Sequence, residues 1–138
     1  MRFPYHGAGI ALVLDGKVLV GRRSDKPFHG LWSIPGGCRE KGLDADDRAT
    51  AIREFREETE IDVSSLDAEC FGSWTLKAPF FSWTTYFYRI GKLECAPVPH
   101  EFYELKWLDP KGILRGTDKK KHFRPFTKSE VRCLLRNL

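Results

Sequence analysis

Three glutamates on one helical face constrain this chain more than any other feature. Residues 53–58 read Arg-Glu-Phe-Arg-Glu-Glu and lie in a segment with helical character. On a helix, residues three and four apart share a face. Glu54, Glu57 and Glu58 stand at i, i+3 and i+4, so three carboxylates point the same way. Like charges at that spacing cost a few tenths of a kcal/mol per pair, roughly. A hard divalent cation with oxygen ligands would offset the repulsion. The competing reading is an ordinary solvated acidic helix with Arg–Glu pairs.

The segment before the helix argues against that plainer reading. Residues 34–37 are Ile-Pro-Gly-Gly, and a polar loop with Glu40 and Gly42 leads into the helix. Turn, loop and helix together resemble the signature of the Nudix hydrolases. That pattern runs Gly, five residues, Glu, seven residues, then Arg-Glu-apolar-x-Glu-Glu-x-Gly-apolar. Two departures stand out. The interval from Gly37 to Arg53 is longer than the pattern by two residues, so the first signature Glu falls on Leu43, with Asp44 the nearest acid. The Gly that closes the signature helix is Glu60 here. Glycine suits a left-handed helix terminus because it lacks a Cβ. Glu60 either accepts about 1 kcal/mol of strain there or the helix ends differently before Asp62.

Along the rest of the chain, segments 10–14 and 17–21 flank Asp15-Gly16, a strong hairpin signal. A short strand is expected over 31–34, and further strands over 68–77, 82–90 and 102–108. The helix of the signature is expected to start near Asp44, with Asp44 as its cap and Asp47 as a weak capping-box partner. A final helix opens on Thr127-x-x-Glu130, a capping-box pattern, and Val131, Leu134, Leu135 and Leu138 repeat at helical spacing. The order predicts an α/β fold with a mixed sheet packed between helices. The resemblance implies the same, a Nudix-type α/β/α sandwich. Neither a repeat nor a second domain is visible, so residues 1–138 read as one domain.

Composition narrows the function. The net charge of +4 suits anionic ligands without marking a nucleic-acid binder. Cys38, Cys70, Cys95 and Cys133 form no CxxC pair, which argues against zinc and favours free thiols in a reducing cytoplasm. The four histidines show no metal-ligand spacing, and no stretch is long enough to span a membrane.

The resemblance implies a Mg²⁺-dependent pyrophosphohydrolase, with Mn²⁺ as a substitute. Its substrate would be a nucleoside diphosphate linked to another group, such as a triphosphate, an oxidised nucleotide or ADP-ribose. Glu54, Glu57 and Glu58 would hold the metal and Arg53 would orient a catalytic carboxylate; its plainer reading is a surface salt bridge. Gly36 and Gly37 would bend around the metal site, or simply form a tight turn. A late-loop glutamate serves as general base in several family members. Glu101 is preferred over Glu104 because it follows Pro99-His100, and Glu57 is an alternative.

Substrate contacts are less marked. Trp32 and Arg23 are the chosen candidates, among Phe28, Phe80, Phe81 and Trp83 for stacking and Arg22 and Lys26 for phosphates. Aromatic residues are more often core. Two other readings stay open: an RNA 5′-end pyrophosphohydrolase using the basic run Lys119-Lys120-Lys121-His122, and a non-catalytic module that senses a nucleotide. The chain leaves a homodimer open.

Overall fold

The computed structural model describes residues 3–138; Met1 and Arg2 lie outside it. The hairpin expected at Asp15-Gly16 forms, joining β1 (Tyr5–Leu14) to β2 (Lys17–Arg23) with φ of 51° and 76° at the two turn residues. Its strands pair at Val13–Val18 and Leu14–Lys17 and then separate. Residues 32–38 occupy the opening. Here β3 (Trp32–Ser33) pairs with β2, and β4 (Gly36–Cys38) pairs with β1 through Gly9–Gly36 and Ala8–Gly37. The glycine turn of the signature is thus a short strand, fixed by the sheet on its inner side.

The chain then forms α1 (Asp47–Thr59), a 3₁₀ turn (Val63–Ser65), β5 (Glu69–Ala78), β6 (Phe81–Ile90) and β7 (Phe102–Leu108). The sheet runs β3-β2-β1-β6-β5, with β7 also on β2. It is mixed: β6 lies parallel to β1, and the other pairs are antiparallel. Two further helices, α2 (Pro110–Arg115) and α3 (Thr127–Asn137), complete it.

Successive strand residues face opposite sides, and β1 is buried on both. Ala8, Ile10 and Leu12 pack with Ala51 and Phe55 of α1. Ala11 and Val13 pack with Ile113 of α2 and with Val131 and Leu134 of α3. That two-sided burial explains why β1 reads as a continuous apolar run rather than an alternating one. The architecture is the expected α/β/α sandwich.

Two local expectations are corrected. The cap of α1 is Asp46, whose Oδ1 accepts from the Ala49 N–H at 2.8 Å; Asp44 is drawn away by a stronger partner described below. The capping box at α3 does not form. Thr127 is already helical, Phe126 holds the cap position with no side-chain bond, and Glu130 is buried in an ion pair. β7 ends at Leu108 as expected, and Asp109-Pro110 then starts α2, with the Asp109 side chain accepting from the Lys111 N–H at 3.0 Å. α1 ends with Glu60 in the left-handed region at φ 62°, its N–H bonded to Arg56 O, so Glu60 accepts the strain in place of glycine.

Candidate active site

The α1 glutamates differ in environment. Glu58 is 2% exposed, and neither of its oxygens completes a hydrogen bond. Burial pushes its pKa well above the ordinary glutamate value, and the charges of Glu54 and Glu101 push it further, against opposing contributions from Arg23 and the Gly36 backbone. Glu54 is half-hidden and is also raised, first by burial, with Arg53 opposing. Glu57 stays accessible and accepts from Arg53 Nη1 at 3.2 Å.

The glycines of β4 make room for these acids. A Cβ built on Gly37 would lie 2.4 Å from the Glu54 carboxyl carbon, and one on Gly36 would lie 2.5 Å from the Ala8 carbonyl oxygen. Only glycine permits that double approach, of a side chain on one residue and a neighbouring strand on the other.

Arg53 ties the site together. Its Nε and Nη2 each donate to Asp44 at 2.8 Å, a bidentate pair. Nη2 also donates to the Cys38 carbonyl at 3.0 Å, and Nη1 to Glu54 at 3.1 Å. Arg53 is therefore not a surface salt bridge but a hub joining loop, strand and helix. Asp44 is further held by the Glu40 N–H at 2.9 Å and by the Thr50 hydroxyl at 3.0 Å. The guanidinium beside it keeps its carboxyl well below the usual carboxylate range. The lengthened loop thus returns an acid to Arg53. Glu40, by contrast, lies 3.8 Å from Arg53 and is mostly exposed.

Glu101 reaches the site from a loop stapled to the end of α1. Val98 N–H donates to Thr59 O and His100 N–H to Glu58 O, both at 3.0 Å, while the His100 ring meets Glu60 at 2.6 Å. Glu101 adopts φ 63° and accepts the Ser24 N–H at 3.1 Å. Its carboxylate makes no ion pair among the described residues, whereas Glu104 is taken by Arg22 and Lys106.

A cavity of about 280 Å³ opens here. Glu54, Glu57, Glu101, Gly36 and Gly37 line its acidic part. Tyr5, Phe81, Trp83 and Phe126 form an aromatic part, and Arg23, Lys26 and Arg124 add positive charge. Arg23 is steadied by Asp25 at 3.2 Å and by the Pro27 carbonyl at 3.3 Å. Burial holds the Tyr5 phenol neutral, pushing its pKa up to about 12.

Trp32 does not line this cavity. It is 4% exposed and packs in the α2–α3 core under the Lys121 ammonium, so its expected stacking role is corrected. Phe28 and Trp83 do line the cavity, while Phe80 is exposed on the β5–β6 turn. The lysine run lies apart from it, with Lys121 paired to Asp118. Sequence reasoning missed Tyr5, Arg124 and Phe126, which come together only through the sheet and the approach to α3. It also named Asp44 as the helix cap and as the acid nearest the first signature Glu, without anticipating its bidentate pair with Arg53.

Among the described residues no three acidic, His or Cys side chains close into a ready-made metal cluster. The carboxylates stand apart, with Arg53 bonded to two of them. The residues nevertheless fit a hard cation. Glu58 presents two unpartnered oxygens one helical turn from Glu54, and oxygen donors are what such an ion takes.

The fold matches known structures. DR0079 from Deinococcus radiodurans superposes with a TM-score of 0.76 at 18% identity, covering 96% of this chain and 85% of that one. The Ap4A hydrolase of C. elegans gives 0.71 at 21%, covering 94% and 96%. The bifunctional NMN adenylyltransferase/ADP ribose pyrophosphatase of Francisella tularensis, in complex with AMP and a Mn ion, gives 0.75 at 15%, covering 96% of this chain but 41% of that one. No curated protein sequence matches significantly. The NUDIX domain model matches residues 4–128, spanning the hairpin, the glycine strand, the glutamate helix and the start of α3. The chain belongs to the NUDIX domain family.

Proposed function

We propose that this protein hydrolyses a phosphoanhydride bond in a small nucleotide, a nucleoside diphosphate linked to a further phosphate, nucleotide or sugar, and that it uses Mg²⁺ or Mn²⁺. The observation that carries this reading is Glu58, a buried carboxylate with two free oxygens, one helical turn from Glu54, which lines a cavity with Glu57 and Glu101. An uncompensated buried carboxylate is costly, and a bound cation removes the cost. The relatives described as Ap4A hydrolase and as ADP ribose pyrophosphatase with AMP and Mn support the substrate and metal class.

In this reading Glu54, Glu57 and Glu58 hold the cation. When bound, it screens the carboxylates from the phosphates and lowers the pKa of a water. Arg53 fixes Glu54 and Glu57 in position. Glu101 takes the proton of the attacking water, since its carboxylate is unpaired and near enough to perturb both Glu54 and Glu58. Arg23 and Lys26 face the phosphates across the cavity. The lysines at 119–121 do not line it, so a small nucleotide is the ligand this geometry supports best. The four free cysteines suit a reducing compartment, in keeping with a cytoplasmic enzyme, and among the described residues no helix is long and apolar enough to cross a membrane.

A panel of nucleoside triphosphates, dinucleoside polyphosphates and nucleotide sugars with Mg²⁺, with products resolved, tests the proposal. A nucleoside monophosphate among the products is expected for at least one class. No turnover across the panel by folded protein would refute it. Gly37→Ala supplies a geometric check. Its Cβ displaces the Glu54 carboxylate, and a misplacement on the order of 1 Å costs about 100-fold in rate. The expected result is that loss in kcat/KM with an unchanged circular dichroism spectrum.

A further inference from the structure

The aromatic part of the cavity contains a cation that the hydrolytic reading leaves without a role. Arg124 is 4% exposed, and its guanidinium lies 4.8 Å from the Trp83 ring centre and 4.3 Å from that of Phe126. Nη2 donates to Glu130 at 2.8 Å. Glu130 is fully buried, and its other oxygen accepts from the Thr85 hydroxyl, which in turn accepts from Trp83 Nε1 at 2.8 Å. Each Glu130 oxygen thus has a partner, and its charge pairs that of Arg124.

The guanidinium itself is not saturated. Its Nε is buried without a partner, and Nη1 makes no hydrogen bond among the described residues. A guanidinium offers five N–H donors and no acceptor. Nη1 is not among the buried atoms, so it is the end of the guanidinium left open for a ligand that accepts. Arg124 lines the cavity, among flat apolar rings. A phosphate is a poor match, because the Arg124 charge is already spent on Glu130, while Lys26 lines the same cavity without an ion pair among the described residues. A planar ring with a carbonyl on its edge is a good match. Guanine and hypoxanthine present O6 and N7 acceptors, whereas adenine places an amino donor where O6 would be.

We propose that Arg124 reads the base of the nucleotide, selecting a ring with an oxo group over one with an amino group at the same position, and that Glu130 is the residue that positions it. The inference rests on reading the cavity as a nucleotide site. ITP and ATP carry the same triphosphate and sugar, so the ratio of their kcat/KM values isolates the base. The native protein is expected to favour ITP by about 10-fold or more. Arg124→Lys keeps a charge beside Glu130 but loses the fork. The paired variant Arg124→Gln/Glu130→Gln removes both charges and leaves neither one buried alone. In both, the ITP-to-ATP ratio is expected to fall to within about 2-fold, whatever change the two substrates share. A native ratio near one, or variants that lose both substrates in parallel, would overturn the inference. Calorimetric binding of IMP and AMP to the same proteins reads base preference without turnover. A preference there with no hydrolysis would reject the hydrolytic reading and keep this one. Equal binding with hydrolysis intact would do the reverse.

Discussion

Glu58→Gln is expected to make the metal-free protein more stable and the enzyme inactive. Both effects come from one buried carboxylate with no partner. Its folded-state pKa is raised, so between the ordinary glutamate value and that raised value the folded state binds more protons than the unfolded one. Stability therefore falls as pH rises through this window. Glutamine removes the charge, and the slope should flatten. Relieving a desolvation penalty of about 1–3 kcal/mol should raise Tm by roughly 3–10 °C at pH 8, with little change near pH 4. Scanning calorimetry of both proteins at the two pH values in chelator measures this. Mg²⁺ should then raise the native Tm and leave the variant nearly unmoved, since a ligand stabilises only the state that binds it. A residue kept only for packing would show the opposite: lower stability on substitution and no link to metal.

Asp44→Ala is expected to produce the largest loss of stability among single changes at the site. Asp44 is buried and engages Arg53 through two bonds of 2.8 Å. Removing Asp44 breaks both of these charge-assisted bonds, at about 1.5–3 kcal/mol, while Glu54 and Glu57 still pair the guanidinium. Urea denaturation should report that loss. Glu40→Ala, which removes an exposed carboxylate 3.8 Å from the same guanidinium, should cost within about 0.5 kcal/mol. The pH dependence has the opposite sign to that of Glu58. The Asp44 pKa is depressed, so its stabilisation is present above the ordinary aspartate value and is lost as pH falls toward the folded-state one. Asp44→Asn should therefore be less sensitive to acid than the native chain.

What the sequence disclosed follows from where each signal is encoded. Glu54, Glu57 and Glu58 were legible because helical periodicity turns spacing into a shared face. Asp15-Gly16 was legible because few residues tolerate the turn's backbone, and both adopt positive φ. Thr127-x-x-Glu130 misled, because a local pattern cannot reveal that Arg124 and Thr85 claim Glu130. Asp44 misled for the same reason: its cap-like position is local, but its partner Arg53 is nine residues away. Trp32 looked like a stacking residue until β3 placed it in the core. Tyr5, Arg124 and Phe126 carry no motif, and only the sheet and the approach to α3 bring them into one cavity.

The most direct test of the account is hydrolysis of the best substrate from the panel, followed with Mg²⁺ and with chelator for the native protein, Glu57→Gln and Glu58→Gln. Turnover by the native protein with Mg²⁺, none in chelator, and a fall of about 100-fold or more in each folded variant are expected. Native turnover that survives chelation, or a variant as active as its parent, would contradict it.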